Sequence, residues 1–283
     1  MIQYSGLNIE KIRSVYMSYK MLVLDIDDTL LNSNHEISSV TKERLIQFQE
    51  DGFILVLATG RPTKSAVQKA EELLLDRHKS HAISFNGAVV TSMENAQELF
   101  SQRMNLDEQK ELVQYIHDSG LALIAYGDNE VYLSRENDYS HIEGELTGLE
   151  TIYDSDYANN LESEELKFIA VGDPEIVAQH NGKLQGKFGK ATNATTSKDY
   201  FLEFMHRDVS KGLSLQRLCN HIGIDISEVV AVGDGNNDAP MIEVAGVGVA
   251  MGNASDYLKG IADDVTGTND EDGVVQVLDK YFY

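Results

Sequence analysis

The chain has 283 residues, and its 46 acidic and 23 basic residues give a net charge of −23. This length allows two domains, and the charge argues against nucleic acid as a partner because phosphate binding requires a basic surface that the sequence lacks. No stretch reaches the roughly 20 apolar residues of a membrane span. The single cysteine, Cys219, excludes an intrachain disulfide and, within LQRLCNHIG, is expected to be a buried helix residue.

Residues 1–16, MIQYSGLNIEKIRSVY, precede the first predicted element. They carry charges where a secretory signal would need an apolar core. We therefore predict a cytoplasmic protein with an atypical N-terminal extension at residues 1–16. Because MSYK directly precedes the first strand, we hypothesise that Met17 is the native start.

Four apolar runs predict strands: MLVLDID, FILVLATG, AISFNGAVV and VVAVGDG. They are continuously apolar, which is typical of strands covered on both faces of a parallel sheet. Between them, VTKERLIQFQEDG has apolar residues at helical spacing and ends on a glycine suited to a helix stop, and SKGLSLQRLCNHIG predicts a helix capped by Ser210. This alternation predicts an α/β fold with a doubly wound, Rossmann-like parallel sheet and ligands at the carboxyl ends of its strands.

The middle of the chain is more polar, and its predicted segments are shorter. LALIAYGDNEVYLS alternates like strands, LDEQKELVQYIHDSG is helical, and LKFIAVGDPEIVAQHNGKL predicts a strand followed by a helix. FLEFMH then resumes the style of the first part. We therefore predict an α/β domain at residues 99–201, inserted into a catalytic core made of residues 20–98 and 202–283.

Polar residues follow the predicted strands. LVLDIDDTLL places Asp25 and Asp27 at the end of the first strand, where like charges repel each other unless something offsets them. A solvated turn would account for such a cluster. In a parallel sheet, however, the cluster would lie at the same edge as the polar residues that follow later strands. These are Thr59, Gly60, Arg61, Asn86, Asp234, Asn237 and Asp238, together with Lys211 at a helix start. Carboxylates gathered in this way, with groups that bind anions, favour a Mg²⁺ and phosphate site.

GDGNND has two other interpretations. As a dinucleotide-binding loop it lacks the third glycine, and its acidic residues would repel a pyrophosphate. As a calcium loop it lacks the ligand spacing and the terminal glutamate of an EF-hand.

In this order, DIDDT, ATGR, SKG and GDGNND resemble the four-motif signature of the haloacid dehalogenase superfamily. The NGA triplet and the large insertion before SKG resemble its Cof-type sugar-phosphate phosphatases. The resemblance covers about residues 20–283, and it implies that the insertion is the α/β cap that sets substrate specificity in this family.

The resemblance implies a role for each motif in turn. Asp25 would be the nucleophile that forms an aspartyl-phosphate, and Asp27 would be the general acid and then the general base. Extended spacing from i to i+2 would place both on one side of the strand. Asp25, Asp234 and the main-chain carbonyl of Asp27 would hold Mg²⁺.

The resemblance implies that other motif residues bind phosphate. The resemblance implies that Thr59 and the amides of Gly60 and Ile26 hold phosphate oxygens, and that Lys211 neutralises their charge. The remaining residues would support the site: Asn237 by touching phosphate, Asp238 by orienting Lys211 or a metal-bound water, Arg61 and Asn86 beside them, and Asp28 and Thr29 by capping the turn.

The sequence thus predicts a Mg²⁺-dependent phosphatase for a small phosphorylated metabolite, with a sugar phosphate as the family's usual substrate. A nucleotide, a flavin or pyridoxal phosphate stays open as the substrate, since no cap residue can be assigned from sequence. A phosphomutase, which returns the phosphoryl group to substrate, and a non-enzymatic receiver-like module remain alternatives. A receiver would not need a domain inserted over its site.

Overall fold

The computed structural model describes residues 19–127 and 129–283. The predicted extension at residues 1–16 and the hypothesis that Met17 is the native start lie outside these residues. Within the described ranges, no helix combines the length and apolar character needed to cross a membrane.

The described residues form fifteen strands and nine α-helices. The strands are β1 (Met21–Leu24), β2 (Ile54–Ala58), β3 (His81–Ser84), β4 (Val89–Ser92), β5 (Gln97–Ser101), β6 (Ala122–Tyr126), β7 (Glu130–Leu133), β8 (Glu150–Tyr153), β9 (Lys167–Val171), β10 (Lys187–Phe188), β11 (Thr192–Lys198), β12 (Phe201–His206), β13 (Val229–Gly233), β14 (Val247–Ala250) and β15 (Asp264–Val265). The helices are α1 (Ser39–Glu50), α2 (Thr63–Glu72), α3 (Leu106–Ser119), α4 (Ile142–Thr147), α5 (Pro174–Leu184), α6 (Lys211–Ile222), α7 (Ala239–Val244), α8 (Asp256–Ile261) and α9 (Gly273–Tyr281).

The first sheet has eight strands in the order β15-β14-β13-β1-β2-β3-β4-β5. Its strands from β15 to β3 are parallel, and β4 and β5 extend it with antiparallel pairing. The central strands β1 and β13 are buried along their whole length, which explains their continuously apolar sequences. The predicted α/β class with a Rossmann-like parallel core is confirmed, and Cys219 is buried in this core as expected.

The segment AISFNGAVV is not one continuous strand. It forms β3, a tight turn at Phe85–Gly87 and then β4, which returns antiparallel to β3. Asn86 and Gly87 have φ angles of 55° and 106° in this turn, a region that suits Asn and Gly. Both strands are mostly buried, so their hydrophobic sequences alone did not indicate that the chain reverses direction between them.

The second sheet has seven strands in the order β10-β11-β12-β9-β6-β7-β8. Contrary to the assignment of residues 202–283 to the core, β12 pairs with β11 and β9 in this second sheet. Similarly, β5 crosses the predicted border at residue 98 and pairs in the first sheet. We therefore propose that the borders between the core and the inserted cap lie after β5 and after β12.

The pairing of β12 also explains why its sequence, FLEFMH, looked like a core strand. On one face, Leu202 and Phe204 join the apolar cluster that includes residues of α3 and α5. On the other face, Phe201 joins Ile169 and Phe85, a residue of the turn after β3. Because residues on both faces of β12 are buried, this strand is as apolar as a core strand.

Candidate active site

The site begins at the carboxyl end of β1, where Asp25 meets Lys211. Both residues are buried, as is Asp238. Lys211 Nζ lies 2.5 Å from Oδ1 of Asp25 and 2.5 Å from Oδ1 of Asp238. The Ser210 side chain caps α6 by accepting a hydrogen bond from the Leu213 amide, so the lysine stands at the first position of that helix.

This contact keeps the lysine charged. Burial lowers the pKa of Lys211, but the charges of Asp238 and Asp25 outweigh it and raise the pKa above its usual range. Burial and the charge of Asp238 raise the pKa of Asp25, and Lys211 opposes that rise. The pocket therefore holds more carboxylate charge than its one lysine neutralises.

Three carboxylates at this point have the geometry of a cation site. Asp25, Asp234 and Asp238 each offer one oxygen, and these oxygens lie within 4.8 Å of one another. With Lys211 included, three carboxylates and one ammonium leave a charge of −2, which one divalent cation would balance. Burial and the charge of Asp238 raise the pKa of Asp234 to about 6, which reflects the same excess of carboxylate charge. The residues present thus fit Mg²⁺, which prefers oxygen ligands.

The side chain of Asp27 is outside that cluster and binds Arg61 instead. Arg61 Nε lies 2.9 Å from Asp27 Oδ2, and Arg61 Nη2 lies 2.5 Å from Asp27 Oδ1. The side chain of Asp27 is 46% exposed, whereas Asp25 is buried. Both aspartates line one cavity, although β1 ends at Leu24 and residues 26–30 form a tight turn in which Asp27 is extended and Asp28 has a φ angle of 57°.

The predicted phosphate-binding residues fall into two groups. Gly60, Asn86 and Asn237 line the same cavity as the aspartates, and Asn86 Oδ1 accepts a hydrogen bond from Asn237 Nδ2 at 3.1 Å. Ile26 and Thr59 are fully buried and are not among the residues that line it. The Thr59 hydroxyl accepts a hydrogen bond from the Arg61 amide at 3.1 Å, so in this state it holds the loop.

The supporting residues orient the carboxylates. Asp238 Oδ2 accepts hydrogen bonds from the amides of Asp234 and Gly235. The Thr29 hydroxyl donates to Asp234 Oδ1 at 3.1 Å, and the Asp28 carbonyl accepts from Asn253 Nδ2. Thr29 therefore acts directly on the cation cluster.

Sequence reasoning did not identify the cap residues that face these groups. The cavity measures about 870 Å³, and the cap lines it with Glu143, Leu146, Thr147, Lys167, Asn181, Ala194, Thr195, Thr196, Ser197, Lys198, Phe201 and Glu203. One signal was present in the sequence: Lys167 and Glu203 are charged residues in mostly apolar strands, and both are buried. Buried charges of this kind need a partner or a function.

The chain is similar to known proteins in sequence and in fold. The sequence profile of the haloacid dehalogenase-like hydrolases matches residues 22–278. The chain is 32% identical to the phosphatase YwpJ of Bacillus subtilis, over 92% of this chain and 98% of that protein. The structure of a haloacid dehalogenase-like hydrolase from Bacteroides thetaiotaomicron shares 35% identity and a TM-score of 0.84, covering 93% of this chain and 99% of that one.

A third relative is a sugar phosphatase of subclass IIB of the same superfamily. It is 25% identical with a TM-score of 0.76, and the match covers 92% of this chain and 98% of that one. The family match and these relatives confirm the predictions of a phosphatase and of its superfamily. The chain belongs to the haloacid dehalogenase-like hydrolase family.

Proposed function

We propose that this phosphatase hydrolyses small phosphate monoesters in a Mg²⁺-dependent reaction through an aspartyl-phosphate on Asp25. The observation that carries the proposal is the joint placement of Asp25 and Asp27 on one cavity, with Lys211 against Asp25 and two further carboxylates beside it. Such an arrangement offers a nucleophile, a proton-transfer group and charge stabilisation together.

In the first step, a carboxylate oxygen of Asp25 attacks phosphorus. The new oxygen–phosphorus bond forms as the ester oxygen–phosphorus bond breaks, and Asp27 gives its proton to the departing oxygen. Once Asp27 is ionised, the two nitrogen contacts from Arg61 stabilise its carboxylate. In the second step, Asp27 takes a proton from a water molecule whose oxygen attacks phosphorus. The bond between the Asp25 oxygen and phosphorus breaks as the new bond forms, which regenerates the Asp25 carboxylate and releases inorganic phosphate.

Groups around Asp25 would neutralise the negative charge of the transferred phosphoryl group. Lys211 supplies a fixed ammonium, while Asn237 and the amide of Gly60 offer donors to the phosphoryl oxygens. When bound by Asp25 and Asp234, with the main-chain carbonyl of Asp27, Mg²⁺ supplies the positive charge that offsets the carboxylates and the phosphate.

A sugar phosphate is the substrate class that the similarity supports best. One structural relative is a sugar phosphatase, and the cavity of about 870 Å³ lies within the usual size range of small-molecule sites. The net charge of −23 argues against nucleic acid as the partner.

The test is hydrolysis of p-nitrophenyl phosphate and of hexose monophosphates by the purified chain in ¹⁸O-labelled water, with Mg²⁺ and after exhaustive chelation. We expect turnover only with the metal, and one labelled oxygen in each phosphate released. Undiminished turnover after chelation would contradict the metal requirement. Phosphate returned to the sugar would indicate a phosphomutase, and a phosphorylated protein that persists for minutes without turnover would indicate a receiver-like module.

A further inference from the structure

Three buried charged residues of the cap form a group that we call the carboxylate roof: Glu143, Lys167 and Glu203. Their exposed fractions are 6%, 4% and 6%. All three line the cavity that also contains Asp25 and Asp27. In the pairing of β9 with β12, Lys167 lies opposite Met205, and alternation places Glu203 on the same face.

Each carboxylate of the roof is held through one of its oxygens. Glu203 Oε1 lies 3.0 Å from Lys167 Nζ and accepts the Ser197 hydroxyl at 2.6 Å. Glu143 Oε1 accepts the Tyr126 hydroxyl at 2.5 Å. These contacts fix the positions of both side chains before any ligand arrives.

The second oxygen of each carboxylate is open. Among the described residues, no hydrogen bond reaches Oε2 of Glu143 or of Glu203. The one fully buried side-chain nitrogen or oxygen without a partner in those residues is His81 Nδ1. Neither Oε2 atom is therefore sealed inside the protein, and both residues line the cavity.

The charge of the roof decides what it can bind. Two carboxylates and one ammonium sum to −1, so a second phosphate or a carboxylate on the substrate would be repelled. A cationic group would meet Lys167 within the roof and Arg61 beside it. Hydroxyl groups can donate to the open carboxylate oxygens and accept from Lys167, which satisfies all three members at once.

We infer that Glu143, Lys167 and Glu203 bind the hydroxyl groups of an uncharged, polyhydroxylated leaving group, an inference that rests on the proposed function. The preferred substrate is then the monophosphate of a neutral sugar or polyol. The roof determines specificity for the leaving group, while the phosphoryl group is held by the residues around Asp25.

The experiment compares kcat/KM for four substrates with Mg²⁺ present. Glucose 6-phosphate is the neutral sugar ester, 6-phosphogluconate and fructose 1,6-bisphosphate each add a second anion, and p-nitrophenyl phosphate lacks hydroxyl groups. Wild type should prefer glucose 6-phosphate over both sugars with a second anion by about ten-fold or more, since like-charge juxtaposition in a desolvated site is costly.

The variants are Glu203→Gln and Glu143→Gln, with Glu175→Gln as control, an exposed glutamate of the same cap. We expect each roof variant to lower kcat/KM for glucose 6-phosphate about 10- to 100-fold, the value of one or two charge-assisted hydrogen bonds. The loss with p-nitrophenyl phosphate should be at least ten-fold smaller, and its remaining turnover shows that the variant folds. Glu175→Gln should match wild type with both substrates.

Two results would overturn the inference: equal losses with glucose 6-phosphate and p-nitrophenyl phosphate in both roof variants, or a wild-type preference for a sugar with a second anion. A wild-type protein that hydrolyses none of the four esters with Mg²⁺ would instead contradict the proposed function, and the inference would fall with it.

Discussion

Lys211 Nζ lies 2.5 Å from Oδ1 of Asp25, although 186 positions separate the two residues in the chain. The contact joins the SKG motif at the start of α6 to the DIDDT motif at the end of β1. Both side chains are inaccessible to solvent or nearly so, so neither charge has water to replace its partner. We therefore expect this pair to contribute both to the stability of the protein and to the proposed reaction.

Replacing Lys211 by alanine should lower both the stability of the protein and its catalytic activity. The change leaves Asp25 and Asp238 buried without their cation, and removing one partner of a buried pair costs about 3 to 5 kcal/mol of unfolding free energy. Loss of a fixed charge at the phosphoryl group should lower kcat/KM about 10²- to 10³-fold. Lys69→Ala, which removes an exposed pair with Glu72, should change neither quantity measurably. An unchanged kcat/KM in Lys211→Ala would remove the lysine from the reaction.

Gly212 allows α6 to approach α7 closely. A Cβ atom at Gly212 would lie 2.1 Å from the carbonyl oxygen of Pro240, so Gly212→Ala should lower the unfolding free energy by about 1 to 3 kcal/mol through overpacking. The helix must also shift, which displaces Lys211 and reduces kcat.

Gly182 is the matched control, because it too is helical but a Cβ atom there would have no heavy atom within 4 Å. Gly182→Ala should raise the unfolding free energy by up to about 1 kcal/mol. Chemical denaturation of both variants measures the difference, and equal effects would contradict the close contact.

His81 should make stability depend on pH. Burial, with the charge of His221, lowers the pKa of His81 from 6.5 to about 4, and its Nδ1 is buried without a partner. As pH falls, His81 is therefore protonated in the unfolded chain before it is protonated in the folded chain. The stability contributed by the neutral, buried His81 is complete above about pH 6.5 and is lost progressively down to about pH 4.

Urea unfolding of wild type and His81→Gln between about pH 7 and about pH 4.5 measures that contribution. The gap between the two stability curves should shrink or reverse toward acid, because groups common to both proteins cancel in the difference. An exposed histidine serves as control: His117→Gln, with a side chain 76% exposed, should give a curve parallel to wild type. Parallel curves for His81→Gln as well would disprove the role of His81.

The sequence predicted the parts of the molecule that local patterns encode. Strand β1 and helix α6 with its Ser210 cap could be read directly, because continuous burial and capping leave a local signature. The reversal at Asn86 and the pairing of β12 could not, since a buried hairpin and a buried cap strand are as apolar as a core strand. The carboxylate roof was also missed, because Glu143, Lys167 and Glu203 meet only through the cap's tertiary structure.

The central claim, that Asp25 is the nucleophile and Asp27 the acid and base, is tested most directly by intact-mass measurement after acid quench of Asp25→Asn and Asp27→Asn with p-nitrophenyl phosphate. Asp25→Asn removes the attacking oxygen, so no phosphoenzyme and no turnover should be found. Asp27→Asn should slow turnover about 10²- to 10⁴-fold. Because this leaving group needs little protonation while hydrolysis still needs a base, Asp27→Asn should accumulate a phosphoenzyme on Asp25. A phosphorylated species in Asp25→Asn, or one that maps to another residue, would contradict the account.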